Sequence, residues 1–194
     1  MAVSYPISTP TGIGIAEIQL SATNAVALSR SPFTFAAQAH AYSGEMWSAN
    51  VTIPPVRKDL AEPWVAFLLS LRGQYGTFLL GDPNMTEPQG TATSASISGS
   101  LGARSVTVAM TGTLKAGDYI QLGSGASARL HKVLEDKSGN GTLEIWPALR
   151  ANYSITPVTL TDTKGVFRLA GNASQWAINN NNAYGIQFEA MEAI

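Results

Sequence analysis

The sequence predicts a mainly β protein in which one α-helix packs against the β-structure. Only one segment, about residues 58–72, carries large apolar residues at helical spacing. Most of the remaining chain consists of short runs of β-forming residues separated by Gly, Pro, Ser and Asn. The length of 194 residues allows one large β domain or two small ones, each able to bury a core.

Successive antiparallel strands are predicted before the helix, at residues 12–20, 25–29, 33–40 and 44–53. The last of these strands shows the alternation expected when one face of a strand is buried. Its apolar positions are Trp47, Ala49, Val51 and Ile53, and its polar positions are Ser48, Asn50 and Thr52. Because proline cannot donate a hydrogen bond to a neighbouring strand, we expect Pro54-Pro55 to end this strand.

The predicted helix has one apolar stripe, which we expect to face a sheet. The stripe comprises Leu60, Trp64, Phe67, Leu68 and Leu71. Two starts are compatible with the sequence: Asp59 as N-cap with Glu62 completing a capping box, or a start at Glu62 with Pro63 as the first helical residue. At the other end, Gly73 suits the C′ position and Arg72 suits the negative end of the helix dipole.

A second β unit is predicted after the helix. A strand over residues 76–80 and a turn over 81–84 lead into residues 86–102, where small and polar residues indicate a linker or an exposed hairpin. Four short strands joined by Gly-rich turns follow. They lie at residues 105–110, 118–122, 129–134 and 142–146. This spacing predicts a small β-barrel or sandwich.

The last strands of the chain, at residues 165–169, 175–178 and 184–190, need a partner sheet. Since the small module is already complete without them, we infer that they return to the N-terminal sheet. The predicted domains are therefore residues 1–85 plus 163–194, containing the helix, and an inserted β-rich domain over residues 90–160.

The composition excludes several classes of function. With 12 Lys and Arg against 13 Asp and Glu, the net charge of -1 gives no support for binding to a nucleic acid backbone. No apolar run reaches the roughly 20 residues of a membrane-spanning helix, and no secretory signal is visible. Charged residues make up 13% of the chain, about half of the usual share, so we expect neighbouring subunits to cover much of the surface.

The sequence predicts no catalytic, cofactor-binding or metal-binding residue, and we expect no enzymatic activity. His40 and His131 lie in predicted strands without a Gly-x-Ser-x-Gly elbow, so we expect them to face solvent or an interface. The loop over residues 136–141 begins like a calcium loop, but Pro147 stands where the bidentate Glu should be, which favours a β-hairpin turn.

The carboxylate pairs and the tryptophans can be explained without a functional site. The nearest carboxylate pairs are Asp82 with Glu87 and Glu135 with Asp136, which we expect to be solvated turn residues. The four tryptophans fit core packing better than ligand binding, although an exposed one could stack on a sugar. They are Trp47, Trp64, Trp146 and Trp176.

Several segments, taken in order, resemble the distal tail proteins of long non-contractile-tailed bacteriophages, which are siphophage tail-tip components. The segments are strand 44–53, Pro54-Pro55 with the apolar helix, Arg-Gly-Gln-Tyr-Gly-Thr-Phe at 72–78, Gly-Asp-Pro at 81–83, and residues 164–169. The resemblance covers most of the chain but includes no catalytic signature.

The resemblance implies a tail-tube-like β-sandwich or split barrel with one helix and an inserted small β-barrel-like domain. It implies a structural virion protein at the tail tip, assembled in the host cytoplasm. Six subunits would form a ring that joins the tail tube protein to the hub or baseplate proteins. The insertion would lie on the outside of the ring, where side fibres or receptor-binding proteins attach.

Two alternatives stay open at this point. The chain could be another tail component, such as a tube or terminator protein. Alternatively, the insertion could be a carbohydrate-binding accessory module, with Trp146 or Tyr153 as an exposed stacking platform.

Overall fold

A computed structural model describes residues 3–180 and 182–194 of the chain. In this part of the chain the protein is mainly β with a single α-helix, which confirms the predicted fold class. The helix α1 spans Lys58–Ser70, and a short 3-10 turn spans Gly125–Ser127. The strands are β1 (Ile7–Ser8), β2 (Glu17–Arg30), β3 (Ala37–Arg57), β4 (Phe78–Leu80), β5 (Ser94–Gly99), β6 (Ser105–Thr111), β7 (Thr113–Leu114), β8 (Tyr119–Leu122), β9 (Arg129–Val133), β10 (Lys137–Ser138), β11 (Gly141–Trp146), β12 (Tyr153–Thr159), β13 (Gly165–Leu169), β14 (Trp176–Ile178) and β15 (Ala183–Glu192).

The strands form a seven-stranded sheet and a closed barrel. The sheet has the order β1-β4-β13-β15-β3-β2, with β14 also paired to β15, and the barrel has the order β11-β6-β5-β12-β8-β9. The barrel strands all lie between β4 and β13 in the chain. β4 and β13 are antiparallel neighbours in which Leu80 is opposite Gly165, so the chain leaves the sheet and returns to it at one place.

The helix packs on one face of the sheet and closes the main core. Trp64, Phe67 and Leu68 contact the alternating apolar residues of β3 and β15, and Phe67 meets Phe78 edge-to-face with ring centroids 5.4 Å apart. Four members of the predicted stripe are buried, but Leu60 is 44% exposed. It belongs to the first turn, in which Ala61 is the buried residue.

The helix begins within the predicted bounds of about 58–72, but neither of the two predicted N-terminal caps is present. The helix begins at Lys58 after Arg57, an extended residue without a side-chain cap, and Pro63 lies inside the helix. The helix ends at Ser70, two residues earlier than expected. Leu71 is the C-cap, so the left-handed C′ position falls on Arg72 (φ 52°), and Gly73 (φ 68°) extends the left-handed turn by one residue.

The four N-terminal strands predicted from the sequence are two long strands, and Pro54-Pro55 does not end the second one. Both prolines lie where the register between β3 and β15 shifts, opposite Gly185, and β2 pairs with β3 only as far as Thr52. No neighbouring strand therefore requires the missing N–H groups at this bulge.

The barrel has its own apolar core, built from alternating residues of its six strands. The four predicted strands are present as β6, β8, β9 and β11. The expectation of a linker over residues 86–102 is wrong for its second half, because β5 is a barrel strand with Ala95 and Ile97 buried. Small residues are sufficient there because the barrel interior is narrow.

In the described residues no helix is long and apolar enough to cross a membrane.

Candidate interaction surface

The most conspicuous surface feature is a two-stranded ribbon, residues 22–44, formed where β2 and β3 continue beyond the sheet. β15 pairs with β3 only between Ser48 and Arg57, so neither edge of the ribbon pairs with a third strand of the described residues. Every residue of the ribbon except the half-buried Ser31 is exposed. An isolated two-stranded ribbon is marginally stable in water, and unpaired edges invite association.

One face of the ribbon is apolar except near its tip, where Arg30 is opposite Ala37. Val26 is opposite Ala41 and Leu28 is opposite Ala39, so these side chains share one face; Val26 is 55% and Leu28 is 67% exposed. The other face carries Ala27, Ser29, Gln38 and His40. Arg30 is the one formally charged residue of residues 22–44 at pH 7. A surface with so little charge and polarity is typical of a protein interface.

The tip of the ribbon is an ordered turn that presents two phenylalanines. The N–H of Ser31 donates to the carbonyl of Ala36 (2.9 Å), and the Ser31 hydroxyl accepts from Phe33 and Thr34. Phe33 is 91% exposed. Phe35 has a left-handed backbone (φ 57°), and the Arg30 guanidinium lies 4.9 Å from its ring centroid. The turn thus has an ordered backbone and exposes two large aromatic side chains, a residue type that is enriched at protein interfaces.

The base of the ribbon is held by the barrel through ion pairs in which both carboxylates are buried, whereas the Arg104 side chain is 47% exposed. Glu45, 5% exposed, accepts from Arg104 Nε (2.7 Å) and from the Ala148 backbone N–H (2.6 Å). Arg150 donates to the carbonyl of Glu45 and to the carboxylate of Glu192 (3.2 Å). The sheet and the barrel therefore meet through paired charges as well as apolar contacts.

Aromatic residues complete this junction. Trp47 Nε1 donates to the carbonyl of Leu130 in β9 (3.0 Å), and its ring meets Trp146 edge-to-face at 4.4 Å between centroids. Trp146 Nε1 donates to Asn24 Oδ1 (2.7 Å) at the base of the ribbon. The sequence interpretation missed Asn24 and Glu45, since no local motif marks a contact between residues this far apart in the chain.

His131 occupies a different environment from the one predicted. It is fully buried in β9, where its Nδ1 is 2.7 Å from the carbonyl oxygen of Pro147 and its Nε2 has no partner. Burial lowers the pKa of His131 to about 4, with smaller effects from Arg150 and Arg129, against the raising effect of the Pro147 hydrogen bond. His40 is exposed on the ribbon and packs edge-to-face on Tyr42.

Neither proposed stacking platform is a free aromatic face. Trp146 is half-buried, with its ring against Trp47 and its N–H on Asn24. Tyr153 is half-buried against the barrel core, and this burial raises the pKa of its phenol. Both side chains therefore serve the packing of the protein itself.

The predicted turn carboxylates do organise turns. Asp82 Oδ1 accepts from the N–H of Asn84 (2.9 Å). In the loop that resembles a calcium site, Asp136 bonds Lys115 Nζ (2.8 Å), which lowers the pKa of Asp136, and Asn140 Oδ1 accepts from the N–H of Met110 (2.9 Å). Asp136 thus binds the turn after β7, and Asn140 binds strand β6. Within this loop Lys137–Ser138 form β10, which pairs with β7, so the segment is more than the β-hairpin turn that we expected.

The described ranges contain no cluster of three or more His, Cys, Asp or Glu residues placed to hold a metal ion. A groove of about 390 Å³ between the loop after β13 and strand β15 is lined by polar residues such as Asn50 and Gln187 and by apolar residues such as Leu68 and Phe188. The uncovered ribbon is a more distinctive surface than this groove.

Comparison with models of protein families and with curated proteins gives no match for this chain.

Proposed function

We propose that this chain is a structural subunit of a bacteriophage tail tip, a distal tail protein whose copies form a ring between the tail tube and the hub or baseplate. One observation carries the assembly part of the proposal: the exposed, nearly uncharged ribbon at residues 22–44. The phage part follows from the resemblance of the helix, the segment 72–78 and the flanking strands to distal tail proteins.

A second copy of the same chain is the occupant of the ribbon that we propose. The ribbon extends about ten residues beyond the sheet, roughly 30 Å, and exposes both faces over this length. A stable subunit interface buries about 800 Å² on each partner, so we propose that the next copy covers both strands of the ribbon. We propose that the ribbon packs against a different surface of the next copy, which makes the contact heterologous. A heterologous contact gives a ring when the rotation between copies closes and an open filament when it does not.

The carbohydrate-binding alternative has no observation in its favour, since the side chains of Trp146 and Tyr153 are committed to packing. The tube or terminator alternative predicts the same assembly contacts, so only the position of the protein in the particle separates it from a distal tail protein.

The proposal is tested by the native mass and negative-stain images of the purified chain, with and without the substitution Leu28→Glu. We expect the wild-type protein to form rings of about six copies with a central opening. Leu28→Glu places a charge on the apolar face of the ribbon and should weaken self-association by tenfold or more, roughly the effect of losing one buried leucine.

A matched control is Thr107→Glu, which adds the same charge at an exposed strand position of the barrel and should leave the rings intact. Labelling of purified virions with an antibody to the chain should mark the tail tip. A chain that stays monomeric at every concentration and is absent from virions would refute the proposal; label along the whole tail would identify a tube protein instead.

A further inference from the structure

We propose that the inserted barrel fixes the direction in which the ribbon leaves the sheet, and that Glu45 is the positioning residue. This inference adds a role for the barrel to the assembly described above. Its consequence for ring geometry rests on the proposed function, whereas the contacts on which it depends do not.

The barrel forms hydrogen bonds with one cross-strand pair at the base of the ribbon. Asn24 on β2 is directly opposite Glu45 on β3, and both side chains are bound by the barrel, Asn24 by Trp146 and Glu45 by Arg104 and Ala148. Glu45 directly follows the ribbon in β3, and Asn24 is the one residue of the ribbon that, within the described part of the chain, has a side-chain hydrogen bond to the barrel.

A strand irregularity lies immediately beyond this pair. The next paired residues are Val26 and Ala41, so β3 advances four residues while β2 advances two. Such bulges bend and twist a ribbon. At the same place a Cβ added to Gly44 would lie 3.0 Å from Ala25 Cβ, so the two strands approach closely here. The barrel therefore binds the ribbon directly beside the bulge that sets the direction of the ribbon.

The contacts of Glu45 are suited to fixing an angle. Its two carboxylate oxygens bond different barrel groups, Arg104 and the Ala148 N–H, and its carbonyl accepts from Arg150. Arg150 in turn bonds Glu192 at the end of β15, and Glu192 accepts from the N–H of Trp47. Buried ion pairs add little net stability compared with apolar packing, but they define one geometry. The cluster is therefore better explained by orientation than by stability.

A ring of fixed size requires the ribbon of each copy to meet its neighbour at one angle. A ribbon joined to the sheet only by its two strands would sample many directions, and a closed assembly would form less readily. The barrel, although outside the sheet, then determines how the copies meet.

Hydrogen–deuterium exchange of the full chain carrying Glu45→Gln tests this role. The amide keeps the size of the side chain and can still accept from Ala148, but it loses the charge-assisted bond to Arg104. We expect exchange of ribbon amides 25–44 to be roughly tenfold faster, with the barrel and the sheet unchanged. The matched control is Glu189→Gln, which removes the same charge from an exposed position of β15. Unchanged exchange of the ribbon in Glu45→Gln would overturn the inference.

A second variant covers the case in which Glu45→Gln disturbs the whole fold, seen as faster exchange in the barrel and sheet as well. Asn24→Ala removes only the exposed bond to Trp146 and should also accelerate exchange of the ribbon; wild-type exchange there would overturn the inference.

Images of Glu45→Gln assemblies should show irregular or differently sized rings. If the wild-type chain forms no rings, the proposed function fails, while the exchange experiment still decides the role of Glu45.

Discussion

The buried His131 makes the stability of the protein depend on pH. Its folded-state pKa of about 4 lies below the ordinary value of 6.5, so the unfolded chain binds a proton more readily between these values. The stability due to the neutral buried ring is fully present above about pH 6.5 and is lost as the pH falls towards 4. A shift of this size corresponds to about 3 kcal/mol.

We therefore expect the free energy of unfolding to fall between pH 6.5 and 4, and His131→Asn to reduce this slope. Urea unfolding at several pH values measures it. Asn can keep a donor towards the Pro147 carbonyl, although the smaller side chain lowers stability at every pH. His40→Asn, at the exposed histidine, serves as the control and should keep the wild-type slope. Equal slopes for His131→Asn and wild type would contradict the assignment.

Two adjacent residues after the helix have a left-handed backbone, and we expect substitutions at them to have opposite effects on stability. Arg72 (φ 52°) is exposed, so Arg72→Gly should stabilise the protein by up to about 1 kcal/mol by removing the Cβ strain. Gly73→Ala should destabilise it by about 1–3 kcal/mol, because the new Cβ would also lie 2.8 Å from Asn172 Oδ1 and 3.0 Å from Asn172 Cα. Thermal unfolding of both variants tests this; destabilisation by Arg72→Gly would show that the Arg72 side chain has a contact of its own.

At the scale of elements, the helix holds the sheet through one face only. Leu68 is 1% exposed within the main core, and Leu69, its neighbour in the chain, is 57% exposed. We expect Leu68→Ala to lower the free energy of unfolding by about 2–5 kcal/mol, and Leu69→Ala to change it by less than about 0.5 kcal/mol. Denaturant unfolding measures both. Similar losses for the two variants would mean that Leu69 is covered in solution, as in an assembly.

Elements with strong local patterns were predictable from the sequence, and those set by distant partners were not. The alternation of Trp47 to Ile53 and the stripe of Trp64 to Leu71 depend on spacing alone, and both are buried as predicted. The continuation of β3 through Pro54-Pro55 depends on what lies beside those residues, namely a bulge and the end of β2. Neither the bulge nor the end of β2 can be predicted from the local composition.

The same reasoning explains why the candidate surface escaped prediction. The sequence of residues 22–44 was divided into short strands because Asn24 and Ser31-Pro32 are common turn residues. Only the pairing of β2 with β3 shows that Asn24 lies within a continuous ribbon. Burial of His131 likewise depends on closure of the barrel, which places the inward side of β9 out of contact with water. The low charge of the chain was the one feature of its composition that favoured the assembly we propose.

At the scale of the whole molecule, the proposed contact between copies is apolar rather than ionic. Self-association should therefore persist, or strengthen, when the salt concentration rises from about 0.05 M to about 0.5 M, since screening acts on charges and not on buried apolar area. Sedimentation velocity at both concentrations measures it. Dissociation at high salt would show that charged groups outside the ribbon hold the copies together.

The antiparallel pairing of Leu80 with Gly165 bears on how the barrel could be exchanged during evolution. Since the two residues are opposite each other, the whole barrel occupies the place of a hairpin turn between β4 and β13. A genetic exchange that replaces the codons for residues 81–164 would leave the chain entering and leaving the sheet at the same two residues. The new domain would also have to cover Glu45, Trp47 and Glu192, whose buried side chains now contact the barrel or its loops, so a short turn could not replace the barrel.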